Sequence, residues 1–396
     1  MRTGLIAAVA RTDAGDLRAE LPFAGRSVLA WQVALLRDLG VERILCLCET
    51  TTGEVLRLQH EVEATGAAFH ALKGFGAIPA LVRAEDDLVI LRDGLLPDPA
   101  VTRRLVDVGP APQRVVACLS ADHPLAVSHP VDFERVDATR HWAGLLIMRG
   151  APVQQLADFP ADADAVSVLL RLALQSGTPC RELATPSAEA WLLADSAHAV
   201  TVHEQALIRK SVPPVDWRAP LTTLAALLVR SLAPRGLRRG ALIAAAGALV
   251  LLVSGLIAAA LGAGAAGLAL AATGAFAARV SSAYAALATR LRRLHYERQN
   301  GAAPGVVVDA IAALTAWFAL SPWPDWTPLA VCGPLIIGLA RLAERSGGPT
   351  LAVVASDRVS HLLLLALAAA LGFLPDAVAL MAVAFLTALL LRKMPI

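Results

Sequence analysis

Residues 241–293 read ALIAAAGALVLLVSGLIAAALGAGAAGLALAATGAFAARVSSAYAALATRLRR, and this stretch decides the architecture. From Ala241 onward the first ionisable side chain is Arg279. Two apolar runs of about twenty residues, the length needed to cross a bilayer core, meet at the small-residue break Leu261–Gly264 and end in Arg290, Arg292 and Arg293. Alanine and glycine dominate both runs, which suits close packing of helices in lipid. Working outward, the same texture recurs to the end of the chain and predicts six spans: about 241–261, 265–288, 304–321, 326–343, 351–372 and 375–391. A soluble helical protein would have to bury all of these without a charged face.

The polar breaks orient the spans. Arg235, Arg238 and Arg239 precede the first, and Arg290, Arg292, Arg293 and Arg298 follow the second. Arg341 and Arg345 close the fourth, and Arg392 and Lys393 close the last. The alternate loops, LGAG, SPWPDW and GFLPDA, contain no Lys or Arg. Positive charge gathers on the cytosolic side of membrane proteins, so both termini are expected in the cytosol, in a bacterial inner membrane, with Trp323 and Trp326 at the outer interface.

Composition agrees with this. Hydrophobic residues make up 56% of the 396 positions and charged residues 17%, while the net charge is +2. The near-neutral balance offers no electrostatic case for nucleic acid. Cys46, Cys48, Cys118, Cys180 and Cys332 show neither a CxxC pair nor a zinc spacing, and no disulfide framework is expected. The apolar run Gly4–Ala10 is too short for a typical secretory signal and reads as a first strand.

Before residue 215 the texture is different, because strand and helix patterns alternate. Leu5–Val9, ERILCLCE (42–49), DDLVILRDG (86–94), QRVVACLS (113–120) and WAGLLIMRG (142–150) read as strands. Residues 27–39, 54–66 and 97–109 read as helices, the first stopped by Gly40. This alternation predicts a Rossmann-like α/β domain over residues 1–215, with a mostly parallel sheet covered on both faces and a ligand site at the carboxyl ends of its strands. Pro213 and Pro214 mark the linker. Residues 216–236 then predict an amphipathic juxtamembrane helix, its apolar run interrupted by Arg218 and Arg230. The membrane domain occupies 237–396.

The layout, together with LPFAGRSVLAWQVALLRDLGVERILCL (21–47), resembles bifunctional proteins of phosphoinositide-type lipid synthesis. In these a cytosolic sugar- or inositol-phosphate cytidylyltransferase, an α/β nucleotidyltransferase, is fused to a six-helix CDP-alcohol phosphotransferase. The resemblance implies CTP or another nucleotide and Mg²⁺ as ligands. In the family this stretch follows a glycine-rich loop and a lysine. Here the loop is ARTDAGDLRAE (10–20), with Gly15 its one glycine, Arg11 and Arg18 its cations and no lysine. Glycine lets backbone N–H groups approach phosphates and a cation neutralises them, so nucleotide affinity is expected to be weak. Asp93 and Asp195 stand where the resemblance places the metal carboxylates. Read from the residues alone, Asp93-Gly94 also suits a tight turn and Asp195 a helix N-cap.

The phosphotransferase family carries four carboxylates on two adjacent helices, which hold two metal ions and supply the base. Here Ser282, Ala285 and Ala313 fall at three of those positions and only Asp309 is acidic. The two-metal reaction is therefore expected to be absent. Arg279, Asp309, Asp357, Arg358 and His361 remain as ionisable groups within the spans, with Arg290 at the family's arginine position. Such groups line a wet headgroup cavity or pair with one another; Asp309 with Arg279 or Arg358, and Asp357 with His361, are the candidate pairs. Three functions follow: a headgroup-activating enzyme in the first domain, a degenerate relative binding lipid, nucleotide, a second copy or a partner subunit, or a scaffold or transporter.

Overall fold

The computed structural model describes residues 1–106, 113–184, 191–211, 218–233, 237–292, 303–323, 330–346 and 348–393. The linker 212–216 and Arg235, Arg293, Arg298 and Trp326 lie outside the described residues, as do the side chains of Arg238, Arg239, Arg290, Arg392 and Lys393. Met1–Leu207 is the body of one compact unit, and the helices after it form the body of a second.

The first unit is α/β. Its strands are β1 (Arg2–Ala8), β2 (Pro22–Phe23), β3 (Arg26–Ser27), β4 (Arg43–Cys48), β5 (Ala68–Leu72), β6 (Asp87–Leu91), β7 (Leu95–Leu96), β8 (Val115–Ser120), β9 (Arg140–Arg149), β10 (Cys180–Glu182) and β11 (Leu192–Leu193). The helices are α1 (Val28–Asp38), α2 (Gly53–Glu63), α3 (Ile78–Leu81), α4 (Pro99–Val106), α5 (Pro124–Ser128), α6 (Ala165–Gln175) and α7 (Ala197–Ser211). Seven strands form one sheet in the order β10-β8-β9-β6-β1-β4-β5. β5, β4, β1 and β6 run parallel, as do β8 and β10. β9 runs antiparallel to both its neighbours, β6 and β8.

The mostly parallel sheet is as expected, and its apolar runs explain it. Leu5, Ile44, Leu45, Leu88, Ile90, Val116 and Leu146 are fully buried, as strands covered on both faces require. Several elements are absent from the sequence reading, β5, β10 and α6 among them. β5 and β10 are short, and α6 lies behind the Asp- and Pro-rich stretch at residues 158–164. Asp164 caps α6 by accepting from Val166 N at 3.0 Å. Ser27 caps α1, accepting from Ala30 N at 3.0 Å.

The second unit is all-helical: α8 (Pro220–Leu232), α9 (Leu237–Ala260), α10 (Gly264–Arg292), α11 (Ala303–Leu320), α12 (Cys332–Ser346), α13 (Pro349–Ser356), α14 (Arg358–Ala370) and α15 (Leu374–Lys393). Each expected span overlaps a helix or, for 351–372, the bent pair α13–α14, although residues 326–329 of the fourth lie outside the described residues. Length and composition narrow the count, however. Among the described residues three helices, α9, α10 and α15, are long and apolar enough to cross a membrane, or four if the pair bent by 58° is one span. α11 is a shorter apolar helix, and α12 carries Arg341, Glu344 and Arg345 in its second half.

Small residues set the packing in this unit. A Cβ on Gly255 would lie 2.7 Å from the Gly267 carbonyl oxygen, and one on Gly267 would lie 2.7 Å from that of Gly255. The backbones of α9 and α10 therefore touch, as in small-residue helix pairs. The outward side of α9 is apolar, with Leu242, Ile243, Leu249, Val250 and Ile257 exposed.

Gly267→Val should part α9 from α10 and destabilise the unit by about 1–3 kcal/mol, read as early loss of monodispersity on heating in detergent. Gly247→Val, where nothing lies within 4 Å of the added Cβ, should leave it unchanged.

Candidate functional site

The carboxyl ends of β1 and β6 are tied by one side chain. Asp93, in the turn after β6, accepts through Oδ2 from Val9 N at 2.8 Å and Ala10 N at 2.7 Å, just past the end of β1. Its Oδ1 is buried and has no hydrogen-bond partner. Burial pushes the Asp93 carboxyl up to about 6, against the pull of the two backbone N–H groups and of Arg18 and Arg92. The turn itself is built from beneath. Gln32, fully buried on α1, donates to the carbonyls of Arg92 at 2.8 Å and Leu95 at 2.9 Å. Gly94 has φ +73°, a conformation open mainly to glycine, and a Cβ there would also meet Arg18 Cβ at 3.1 Å.

β7 and β11 bring the second carboxylate alongside. Leu95 and Leu96 pair antiparallel with Leu193 and Leu192, and Ala194 N donates to the Gly94 carbonyl at 2.8 Å. Asp93 and Asp195 therefore sit on adjoining turns, although 102 residues separate them in sequence. Trp191 anchors β11, its indole donating to the Ala143 carbonyl at 2.7 Å. Asp195 lies 3.5 Å from His129 Nε2, and Ser196 donates to its Oδ1 at 3.0 Å. The helix-cap contact expected of Asp195 is made by Ser196, which accepts from Ala199 N at 3.2 Å.

The loop at residues 10–20 is closed on itself. Thr12 N donates to Asp16 O at 2.8 Å, Gly15 N to Thr12 O at 2.9 Å and Arg18 N to Ala10 O at 2.9 Å. Arg11 donates to the Gly15 carbonyl at 2.9 Å and lies 3.6 Å from Glu49. These backbone N–H groups are engaged within the loop, so the loop in this form offers them to no phosphate. Of the three residues expected to cradle a nucleotide, Arg18 alone points into the cluster around Asp93; Arg11 and Gly15 close the loop.

The sequence reading missed the residues that face Arg18. Asp132, buried in the segment that connects β8 to β9, accepts at one oxygen, Oδ1, from Arg18 Nη1 at 2.9 Å and Arg92 Nη2 at 3.4 Å. Arg92 also lies 3.9 Å from Glu134 and 3.6 Å from Asp164. Arg92 adjoins Asp93 and could have been found from that spacing; Asp132, Glu134 and Asp164 carried no local signal. Thr12 Oγ1, Arg18 Nε and Asp93 Oδ1 are all buried without a partner. Buried polar groups are normally hydrogen-bonded, so this concentration of orphans at one strand edge is what a ligand or water site looks like. Among the described residues no group of three or more His, Cys, Asp or Glu side chains is arranged to hold a metal. Asp93 Oδ1 and the half-exposed Asp195 carboxylate remain as two oxygens from adjoining turns, a donor set suited to a cation that keeps most of its water, as Mg²⁺ does.

In the helical unit the polar residues form a layer at the bend between α13 and α14. Asp309 on α11 accepts from Arg341 Nη1 at 2.7 Å and from Arg358 Nε at 3.0 Å. Arg358 also bonds Glu344 at 3.0 Å and the carbonyl of Ala355. Arg279 donates to the Ser356 carbonyl rather than to Asp309. Asp357 does not bond the His361 side chain, as its place one turn away suggested. It caps α14, accepting from Ser360 N and Oγ at 3.4 and 2.9 Å. His361 packs edge-on against Phe385 at 5.2 Å, its Nδ1 without a partner. Carbonyls freed at the break are thus answered by arginines, and the arginines by carboxylates, which satisfies backbone and charge together.

No family model and no curated protein matches this chain. Among solved structures, a Bacillus anthracis protein described as a glucose-1-phosphate thymidylyltransferase, in complex with a sucrose, is similar at 11% identity and a TM-score of 0.40. The match covers 55% of this chain and 98% of that one. A likeness at that level assigns neither activity nor residue roles.

Asp93 gives the first unit a pH signature. Its carboxyl titrates near 6 when folded, against an ordinary 3.8, so between these values the folded form holds more proton than the unfolded one. Stability contributed by the protonated carboxyl is therefore lost as pH rises from about 4 to 6, on the order of 2–3 kcal/mol. Hydrogen exchange at the β1 and β6 amides should accelerate over that window beyond its intrinsic pH dependence, and Asp93→Asn should remove the excess.

Proposed function

We propose that the chain is a membrane-integral relative of the enzymes of phospholipid-headgroup activation. In this reading the first unit is a cytosolic nucleotidyltransferase-like domain that binds a nucleotide weakly at the Asp93 edge. The second is a six-span bundle of the CDP-alcohol-phosphotransferase type that has lost its reaction. The observation carrying the first half is the β7–β11 pairing, which sets the Asp93 and Asp195 turns side by side at the carboxyl edge of the sheet. Sheets of this kind bind ligands there. Asp93 Oδ1 and Asp195 would hold Mg²⁺, which would bridge substrate phosphates and offset the charge that develops when a nucleotidyl group transfers. Arg18 would face the same phosphates.

The second half is supported by Asp309. Both its oxygens are engaged by arginines, and one carboxylate already held by two guanidiniums is a poor ligand for two metals. In this reading both termini are cytosolic, since Lys and Arg gather on the cytosolic side of membrane proteins. α8 supports an interfacial position: Ala225 and Val229 are buried, while Leu224, Leu227 and Leu228 are exposed on one flank and Arg230 on another. Such a helix lies in the headgroup region with its leucines toward lipid. The saturated arginine layer equally fits a scaffold that holds lipid or a partner without turnover.

The full-length protein in detergent should bind CTP weakly and only with Mg²⁺, as read by calorimetry, and Asp93→Asn or Asp195→Asn should each abolish the metal dependence. Tight CTP binding indifferent to both substitutions would refute the placement of the site. No transfer from a CDP-linked donor to an alcohol should occur with any divalent ion. Asp309→Asn should lower thermal stability instead. A phosphotransfer activity that disappears in Asp309→Asn would restore the membrane enzyme.

A further inference from the structure

Two guanidiniums from separate elements converge on one oxygen at the Asp93 edge. Arg18 Nη1 and Arg92 Nη2 both donate to Asp132 Oδ1. Arg18 comes from the loop after β1 and Arg92 from the end of β6, so the sheet fixes their separation. Two cations fixed around one anionic oxygen make the geometry that binds a phosphoryl oxygen. Here a carboxylate of the chain itself fills it.

We propose that Asp132 is an internal stand-in for a phosphoryl group: a phosphate or pyrophosphate moiety binds the Arg18–Arg92 pair only by displacing the Asp132 side chain. This rests on the reading of the Asp93 edge as a phosphate-ligand site and adds an autoinhibitory contact to it. Three observations carry it. First, a single oxygen is shared by both arginines, whereas an ion pair built for stability would use both oxygens of the carboxylate in a fork. Second, the partners left without bonds beside it, Arg18 Nε and Asp93 Oδ1, are buried, and Asp93 is only 5% exposed. With Asp132 in place these groups are under-satisfied, and a larger ligand with several oxygens and a cation would satisfy both. Third, the local charge opposes an added anion as things stand. Arg18 and Arg92 face Asp132, Glu134 and Asp164, three carboxylates against two cations, before Asp93 is counted.

Asp132 can leave without unfolding its segment. Phe133 is fully buried beside it, and the Phe133 carbonyl is bonded to His141 Nδ1 at 2.7 Å. The backbone is held there, so rotation of one side chain is enough to vacate the position. Nothing covalent is involved; one ion pair is exchanged for another.

The test uses inorganic pyrophosphate on the full-length protein in detergent, without nucleotide and without added metal. Asp132→Asn keeps the shape and removes the charge, and it should tighten pyrophosphate about tenfold relative to the unmodified protein. Asp132→Ser serves if the asparagine variant does not fold. Asp164→Asn, which removes a carboxylate from Arg92 but not the shared oxygen, should change affinity less than threefold. Adding Arg18→Gln to Asp132→Asn should abolish the gain. Unchanged or weaker pyrophosphate binding in both Asp132 variants would overturn the proposal, as would an equal gain in Asp164→Asn, which would reduce the effect to bulk charge. If Asp132→Asn tightens pyrophosphate while CTP with Mg²⁺ still fails to bind, the autoinhibitory contact stands and the nucleotide reading falls.

Discussion

A charge removed from water calls for an opposite charge or backbone dipoles, and in each unit one carboxylate, buried Asp93 and part-buried Asp309, draws such partners together. Asp93 is answered by the N–H groups of Val9 and Ala10, and in being answered it fastens the end of β6 to the end of β1. Asp309 is answered by Arg341 and Arg358, and Arg358 in turn supports the carbonyl of Ala355 at a helix break. The cost of leaving any of these groups unpaired is several kcal/mol. The turn after β6 and the bend between α13 and α14 are each held in part by the groups that answer these carboxylates.

The two carboxylates differ in completeness. Asp309 has both oxygens engaged and reads as a finished structural joint. Asp93 has one oxygen engaged and one buried and free. Incomplete satisfaction is uneconomic for stability and is tolerated at sites where a ligand finishes the network. On the proposed function the chemistry concentrates in the α/β unit, while the polar layer among the helices joins them.

What could be read in the sequence was whatever is written in local periodicity. Unbroken runs such as ILCLC and LVIL announced buried parallel strands, and the apolar length of α9 and α10 announced a membrane-type bundle. Asp93 and Asp195 stand out in the sequence only through a family resemblance, and the β7–β11 pairing brings their turns together. The antiparallel course of β9 was not legible, because its apolar run looks the same in either direction and only its neighbours decide. The partners of Arg18 were hidden for a similar reason. Asp132 lies 114 residues away, and no spacing rule connects a loop after one strand to a segment before another. In the sequence Arg341 reads as a loop charge that sets topology, and its role as a partner of Asp309 emerges only once the helices are packed.

The reversed strand β9 has a consequence for how such a unit diversifies. Since β8 runs one way and β9 returns, the segment 121–139 leaves and re-enters the sheet at the same edge, the edge that carries Asp93. An excursion anchored at both feet in this manner can be shortened, extended or swapped without shifting the register of any strand. It also carries Asp132 and Glu134, the groups that stand against the two arginines. Ligand preference in this architecture is thereby separable from the scaffold: a lineage could exchange one cassette of about twenty residues and alter what is admitted, leaving the strands and the attached helices as they were.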